Sequence, residues 1–265
     1  MRIGNALMAS VGIAIGWLYC NNHLAITDLF LRMAAGFFAL GFGNILNDIC
    51  DINTDKISHP DRLLASGKIK LKTAMVFAII CFILSSLAGF SSSYKLGIST
   101  FIPLFILTLY SIRLKATPFA GNFVVALLTG YTLIFGGLGE NVSKIFYPAI
   151  LAILANFARE IIKDLSDEEG DKATGLKTTS SVDLKYIKIV IYLQFIAFVV
   201  TAALPYLFNL LGWTYVVITI CFVIPIHFMY IRYFNEANYK KASDALKFQM
   251  IVGLIAVAAD YFFRY

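Results

Sequence analysis

Apolar residues run along this chain in long stretches that short polar connections separate. A helix that crosses a bilayer needs about 20 mostly apolar residues. Nine stretches approach that length, so the pattern predicts an all-α, polytopic membrane protein with one domain over residues 1–265. The nine predicted transmembrane helices cover residues 3–22, 29–47, 72–91, 96–112, 119–139, 145–163, 186–207, 212–232 and 246–263.

The composition agrees with a membrane protein and excludes two other classes. Apolar residues make up 59% of the chain and charged residues 14%, whereas a soluble domain has about 45–50% and about 25%. A soluble globular protein and a disordered chain are both excluded. The four cysteines are scattered and suggest neither a disulfide framework nor a zinc site. No convincing cleavage site follows the first apolar stretch, which we interpret as a retained helix.

The basic residues predict how the helices are oriented. If the N-terminus is cytoplasmic, 18 of the 22 Lys and Arg residues fall on the cytoplasmic side, as basic residues tend to do. The net charge of +6 is then explained by topology in the cell membrane, and no nucleic-acid partner is expected. Thirteen of the 16 acidic residues fall on the same side, which this rule does not require. We therefore expect the functional site on the cytoplasmic face.

The first acidic cluster lies where the second predicted helix leaves its apolar stretch. Asn47, Asp51 and Asp55 are spaced i, i+4 and i+8, which places them on one helical face, and Asp48 lies beside them. Carboxylates that repel each other next to a low-dielectric region lose solvation as well. A divalent cation would relieve both costs.

The second acidic cluster leaves the sixth predicted helix in the same way. Asp164, Asp167 and Asp171 are spaced i, i+3 and i+7, again on one helical face. One such cluster could simply be an acidic helix face exposed to solvent. This explanation is much weaker for two clusters that are both in helical register and on the same side of the membrane. Two facing rows of oxygen ligands suit Mg²⁺ shared with a diphosphate. The predicted catalytic and metal-binding residues are Asn47, Asp51, Asp55, Asp164, Asp167 and Asp171.

Basic residues accompany both clusters and could contact a diphosphate through charge-assisted hydrogen bonds. Apart from Lys163, which lies beside the second cluster, they lie in or just after two segments. These are DRLLASGKI, after the second predicted helix, and LYSIRLKATPFAGN, which spans the connection between the fourth and fifth. Simple anchoring at the membrane surface is the preferred explanation for Lys68, Lys70 and Lys72, and His59 is interpreted as a loop or capping residue. The predicted substrate-binding residues are Asp48, Arg62, Tyr110, Arg113, Lys115, Asn122 and Lys163.

Together these motifs resemble those of the UbiA superfamily of intramembrane prenyltransferases. The pattern N-D-x-x-D-x-x-x-D from Asn47 is similar to the family's first motif, and D-x-x-D-x-x-G-D from Asp164 is similar to its second. Two departures stand out. Leu63 follows Arg62 where many members have proline, and the lysine expected four residues after Tyr110 is replaced by a leucine between Arg113 and Lys115. Which of these two cations contacts diphosphate stays open.

The resemblance implies a bundle of nine helices around a central cavity, with a cytoplasmic cap. It also implies that Mg²⁺ ions bind the diphosphate of an allylic prenyl donor, and that the cavity keeps water from the prenyl cation. Aromatic side chains can stabilise such a cation, and Tyr110 and Tyr131 are candidates. The implied partners are a prenyl diphosphate donor, a lipid acceptor and the bilayer.

The resemblance is strongest to archaeal members of the family, which implies geranylgeranyl diphosphate as the donor and geranylgeranylglyceryl phosphate as the acceptor. The free hydroxyl of this acceptor would form the second ether bond of archaeal lipids. An anionic acceptor would use further cations such as Lys68, Lys163 or Lys172. An aromatic acceptor remains the main alternative. A CDP-alcohol phosphotransferase is disfavoured because its acids form one cluster. A cation transporter is disfavoured because its site usually lies near the midplane.

Overall fold

The computed structural model describes residues 3–20 and 25–263, and all regular secondary structure in these ranges is helical. The helices are α1 (Ile3–Cys20), α2 (Ile26–Cys50), α3 (Ile52–Ser58), α4 (Leu71–Ser92), α5 (Tyr94–Ile112), α6 (Ala120–Gly136), α7 (Ser143–Ser166), α8 (Glu168–Ala173), α9 (Leu184–Leu207), α10 (Trp213–Ile218), α11 (Ile224–Asn235) and α12 (Tyr239–Phe263). A π-helical turn, Thr219–Val223, joins α10 to α11, so that they form one helical unit.

Within the described residues, seven helical units are long and apolar enough to cross a membrane: α2, α4, α5, α7, α9, α10–α11 and α12. Helices α1 and α6 are apolar but shorter. Every predicted stretch overlaps one of these nine units, and the multi-pass membrane class is confirmed. Residues 21 and 22 of the first stretch, and Arg2 and Arg264 of the charge count, lie outside the described residues.

The largest boundary error concerns the last helix. The hydropathy pattern places its start at residue 246, but α12 begins at Tyr239. Its first two turns carry Lys240, Lys241 and Asp244, so they lack the apolar signal although their backbone is helical. The helix therefore extends beyond its apolar segment.

The long helices pack around a central space. Helix α1 packs against α2 and α6, and α7 packs against α6, α9 and α12. Helices α4 and α5 pack on α2, and α12 also contacts α1, which closes the arrangement. Many large apolar side chains on α4, α5 and α9 face outward and are exposed, as lipid-facing surfaces require.

Two glycines allow α1 and α6 to cross closely. A Cβ atom added to Gly16 would lie 1.9 Å from the carbonyl oxygen of Leu133, and one added to Gly136 would lie 2.0 Å from that of Ile13. No larger residue fits at either position. Small residues at helix crossings in membranes allow this kind of backbone contact.

Charged residues near the opposite ends of the helices from the acidic clusters satisfy backbone groups. Arg32 pairs with Asp28 at 2.8 Å and donates hydrogen bonds to the carbonyl oxygens of Gly136 and Leu138, both at 2.9 Å. Asp260 is fully buried and accepts a hydrogen bond from the backbone N–H of Gly212 at 2.9 Å. These charges therefore stabilise helix ends, which in membranes must find polar partners inside the protein.

Candidate active site

The first cluster sits on a break between two helices. Helix α2 ends at Cys50, Asp51 adopts φ −93° and ψ 7°, and α3 follows. The backbone N–H of Asp51 still donates to the Asn47 carbonyl at 2.9 Å, and that of Asp55 donates to the Asp51 carbonyl at 2.8 Å. The predicted face is therefore preserved, although the predicted continuous helix is interrupted at its middle aspartate.

The second cluster repeats this arrangement. Helix α7 ends at Ser166, Asp167 adopts φ −100° and ψ 7°, and α8 follows. The backbone N–H of Asp167 donates to the Lys163 carbonyl at 2.9 Å, and that of Asp171 donates to the Asp167 carbonyl at 3.1 Å. Both acidic rows therefore bend at their central aspartate, where the chain leaves a long helix for a short one.

The two short helices bring the clusters together. Helix α3 packs against α8, and the hydroxyls of Thr54 and Thr174 lie 3.2 Å apart across this contact. Thr54 also lines a cavity of about 310 Å³, and all six predicted metal-binding residues line it as well. Clusters that are more than 100 residues apart in sequence therefore share one site.

Basic side chains contact the carboxylates at the mouth of this cavity. Lys115 pairs with Asp51, and Arg62 pairs with Asp55. The Nε2 atom of His59 lies 3.3 Å from a carboxylate oxygen of Asp167. In this arrangement, no three His, Cys, Asp or Glu side chains of the described residues are close enough together to hold a metal ion.

The donor set nevertheless suits Mg²⁺. The Asp51, Asp55 and Asp171 side chains are buried beside the cavity, and their oxygens are the hard ligands that this ion prefers. Burial raises the pKa of the Asp171 carboxyl, and the hydrogen bond from Thr178, at 2.7 Å, lowers it in part. Desolvated carboxylates of this kind are stabilised by a bound cation.

A loop after α8 orients the second cluster. Asp164 accepts hydrogen bonds from the Asn122 side-chain amide at 2.9 Å and from the backbone N–H of Thr179 at 3.2 Å. Thr179 in turn donates through its hydroxyl to Asn122. The polar run that contains Thr178 and Thr179 lies between two apolar helices, which is the sequence signal that could have identified these supporting residues.

The structure separates the predicted substrate-binding residues into two groups. Arg62, Tyr110, Lys115 and Lys163 line the cavity together with the acids. The others are placed outside the cavity lining of the described residues. Arg113 is exposed, Asp48 lies 4.0 Å from Arg62, and Asn122 is buried against Asp164.

Other polar residues of the cavity were missed in the sequence. Asn44, Asn156, Arg159 and Glu160 all line it, and His59, interpreted as a loop residue, does so as well. Asn44 lies one turn before Asn47 on the same face of α2, so the helical spacing alone could have included it. The side-chain amide nitrogen of Asn44 is buried without a hydrogen-bond partner among the described residues.

Beyond these polar groups the cavity wall is mostly apolar. Its lining includes Leu40, Leu107, Leu128, Phe198 and Val257, which come from five different helices. Tyr131, the second tyrosine considered for cation stabilisation, also lines it and donates to the Ser99 carbonyl at 3.1 Å. An apolar cavity with a carboxylate-lined mouth suits a ligand that has a long hydrocarbon chain and an anionic head group.

The fold and this site define a class of protein that comparison with known sequences confirms. Residues 6–253 match the UbiA prenyltransferase family, and the chain belongs to this family. The chain is thus a multi-pass membrane prenyltransferase, as the motifs indicated. The family match also argues against a CDP-alcohol phosphotransferase and a cation transporter, both of which the sequence already disfavoured.

Among individual proteins, the chain is similar to archaeal enzymes named digeranylgeranylglyceryl phosphate synthase. It is 37% identical to that of Methanocaldococcus jannaschii, with 98% of this chain and 92% of the relative covered. It is 33% identical to that of Methanopyrus kandleri, with 97% and 95% covered.

Solved structures agree with these sequence relatives. A structure described as giving insights into digeranylgeranylglyceryl phosphate synthase in membranes is 32% identical, with a TM-score of 0.76 and with 98% of this chain and 95% of that chain covered. A UbiA homolog from Aeropyrum pernix is 15% identical, with a TM-score of 0.83 and with 98% and 99% covered, and supports the fold alone.

Proposed function

We propose that this protein transfers a geranylgeranyl group from geranylgeranyl diphosphate to the free hydroxyl of geranylgeranylglyceryl phosphate, with Mg²⁺ as cofactor. The product would be digeranylgeranylglyceryl phosphate. The observation that carries the proposal is the meeting of both acidic clusters at the mouth of one apolar cavity. The names of the full-length relatives support the choice of acceptor.

The proposed reaction breaks the bond between the donor's allylic carbon and the diphosphate oxygen. The same carbon then bonds to the acceptor oxygen, and the acceptor hydroxyl loses its proton. Mg²⁺ held by the six cluster residues would neutralise charge on the departing diphosphate. Arg62 and Lys115 lie at the cavity mouth and would donate hydrogen bonds to its oxygens as negative charge develops.

The remainder of the cavity would protect the allylic cation. Its apolar wall would hold the prenyl chain and exclude water, which otherwise captures the cation. Tyr110 and Tyr131 both line the cavity, and their rings would stabilise positive charge through cation–π interactions. The carboxylate end would thus bind the head group, while the interior would bind hydrocarbon.

We also propose one domain with nine membrane crossings, in which α1 and α6 span together with the seven longer units. The N-terminus and the acidic clusters would be cytoplasmic, with α3, α8 and their connections as the cap. The bias of 18 of 22 basic residues toward that side supports this orientation. The even number of crossings between the two clusters fits a site formed on one face.

A reconstituted assay tests the acceptor. Purified protein would be given labelled geranylgeranyl diphosphate with geranylgeranylglyceryl phosphate and, in parallel, a panel of aromatic acids. We expect labelled digeranylgeranylglyceryl phosphate only, and its loss when EDTA removes the metal and its return with added Mg²⁺. If the label is transferred only to an aromatic ring, the proposed acceptor is wrong, although the protein is still a prenyltransferase.

Cysteine labelling tests the orientation. In a cysteine-free background, Phe208→Cys would mark the connection between α9 and α10, and Lys68→Cys would mark the one between α3 and α4. We expect a membrane-impermeant thiol reagent added outside intact cells to label position 208 and to spare position 68. Labelling of position 68 alone would show that the protein has the opposite orientation in the membrane.

A further inference from the structure

Three charged side chains of α7 form a group in the cavity wall. This group is separate from the ion pairs that Lys115 and Arg62 make with the first acidic cluster. Glu160 is buried and accepts hydrogen bonds from Nη1 of Arg159 at 3.1 Å and from Nζ of Lys163 at 2.8 Å. All three side chains line the cavity. One carboxylate between two cations leaves this group with a net positive charge, so it favours an anionic ligand.

The hydrogen bonding of Arg159 is incomplete. Its Nε atom is buried and has no hydrogen-bond partner among the described residues. A guanidinium presents its donors as a rigid fork that matches carboxylate and phosphate oxygens. A buried donor without a partner is unfavourable. Arg159 lines the cavity, so a small shift of its side chain would bring this donor to an anionic oxygen of a ligand there.

The position of this group differs from that of the cations assigned to the donor. Arg62 and Lys115 come from the connections after α3 and α5 and pair with Asp55 and Asp51. Arg159 precedes Asp164 by five residues, which places it about 7.5 Å further along α7, away from the mouth. The group therefore lies between the carboxylates and the apolar interior, where an acceptor must approach the donor's allylic carbon.

We propose that Arg159 and Lys163 bind the phosphate of a phosphoglycerol acceptor, and that Glu160 positions both cations. This inference rests on the proposed function and adds the residues that select its acceptor. In that acceptor the phosphate and the reacting hydroxyl are carried by adjacent carbons, so the phosphate must come close to the donor's diphosphate. Cations at this place offset the repulsion between the two anions. An acceptor without a phosphate gains nothing from them.

Two acceptors and one donor separate this role from general effects on the site. Arg159→Gln would be assayed with geranylgeranylglyceryl phosphate and with geranylgeranylglycerol, the same lipid with a hydroxyl in place of the phosphate. Loss of a charge-assisted contact should lower kcat/KM for the phosphorylated acceptor by about 10- to 100-fold. The KM for the donor and kcat/KM for the unphosphorylated acceptor should change less than about twofold, because neither depends on this contact.

Further variants complete the test. Arg232→Gln removes an exposed arginine that pairs with Glu236 at 2.9 Å, and should change nothing. Glu160→Gln should lower kcat/KM for the phosphorylated acceptor alone, by about 3- to 10-fold, because it loosens both cations. If Arg159→Gln does not fold, Arg159→Lys replaces it in the test. Lysine keeps the positive charge but lacks the forked guanidinium, so kcat/KM for the phosphorylated acceptor should fall by a smaller factor.

Three outcomes would overturn the inference. Equal losses with both acceptors would make Arg159 structural, a raised donor KM would make it a donor contact, and an unchanged variant would give it no role. If the wild-type protein does not use geranylgeranylglyceryl phosphate at all, the proposed function itself fails. The wild-type control therefore separates the two failures.

Discussion

At the scale of single residues, side chains from distant parts of the chain line one cavity. Helical spacing was enough to group the residues of each acidic cluster, which the structure brings to one cavity, because one face of a helix can be read from sequence. Spacing could not decide between Arg113 and Lys115, since the turn between α5 and α6 has no simple period. The structure exposes Arg113 and places Lys115 against Asp51 in the cavity lining.

Lys115 and Arg113 are close in sequence, but only Lys115 lines the cavity, so Arg113 is a matched control for Lys115. Lys115→Gln should lower kcat/KM for geranylgeranyl diphosphate by about 10- to 100-fold, because a charge-assisted contact to the diphosphate is lost. Arg113→Gln should stay within about twofold of wild type, since an exposed charge contributes little. Steady-state kinetics at saturating acceptor would measure both. A larger effect at Arg113 would contradict the assignment.

At the scale of helices, the sequence predicted which segments are helical much better than where they end and how they meet. Each apolar stretch corresponds to a helix because burial in lipid demands both apolar side chains and internally satisfied backbone groups. The helix breaks at Asp51 and Asp167 were not foreseen, since neither proline nor glycine marks them. The packing of α3 on α8 depends on long-range contacts that no local pattern contains.

The crossing of α1 and α6 gives a prediction about stability. Gly16→Ala should destabilise the protein by about 1–3 kcal/mol, because the added methyl group would collide with backbone atoms of α6. Gly4→Ala is the matched control on the same helix, where an added Cβ has no atom within 4 Å. Thermal unfolding in detergent would compare them. Equal stability of the two variants would argue against so close a crossing.

At the scale of the whole molecule, a membrane bundle holds two acidic rows at one end of an apolar cavity. The charges of the sequence already indicated one functional face, because most acids and bases fall on the same side of the predicted spans. The cavity, its depth and the lateral arrangement of the helices could not be derived, since they depend on how nine helical units pack. In the proposed function, this arrangement makes both clusters serve one Mg²⁺–diphosphate site.

The most direct test of that claim is prenyl transfer by Asp51→Ala and Asp167→Ala, one variant from each cluster. The exposed acids Asp61 and Glu169 lie near them in sequence but outside the described cavity lining, so Asp61→Ala and Glu169→Ala are matched controls. We expect each cluster variant to lose transfer while it remains folded in the membrane, and both controls to stay active. Full activity in either cluster variant, with Mg²⁺ still required, would contradict a site shared by both clusters.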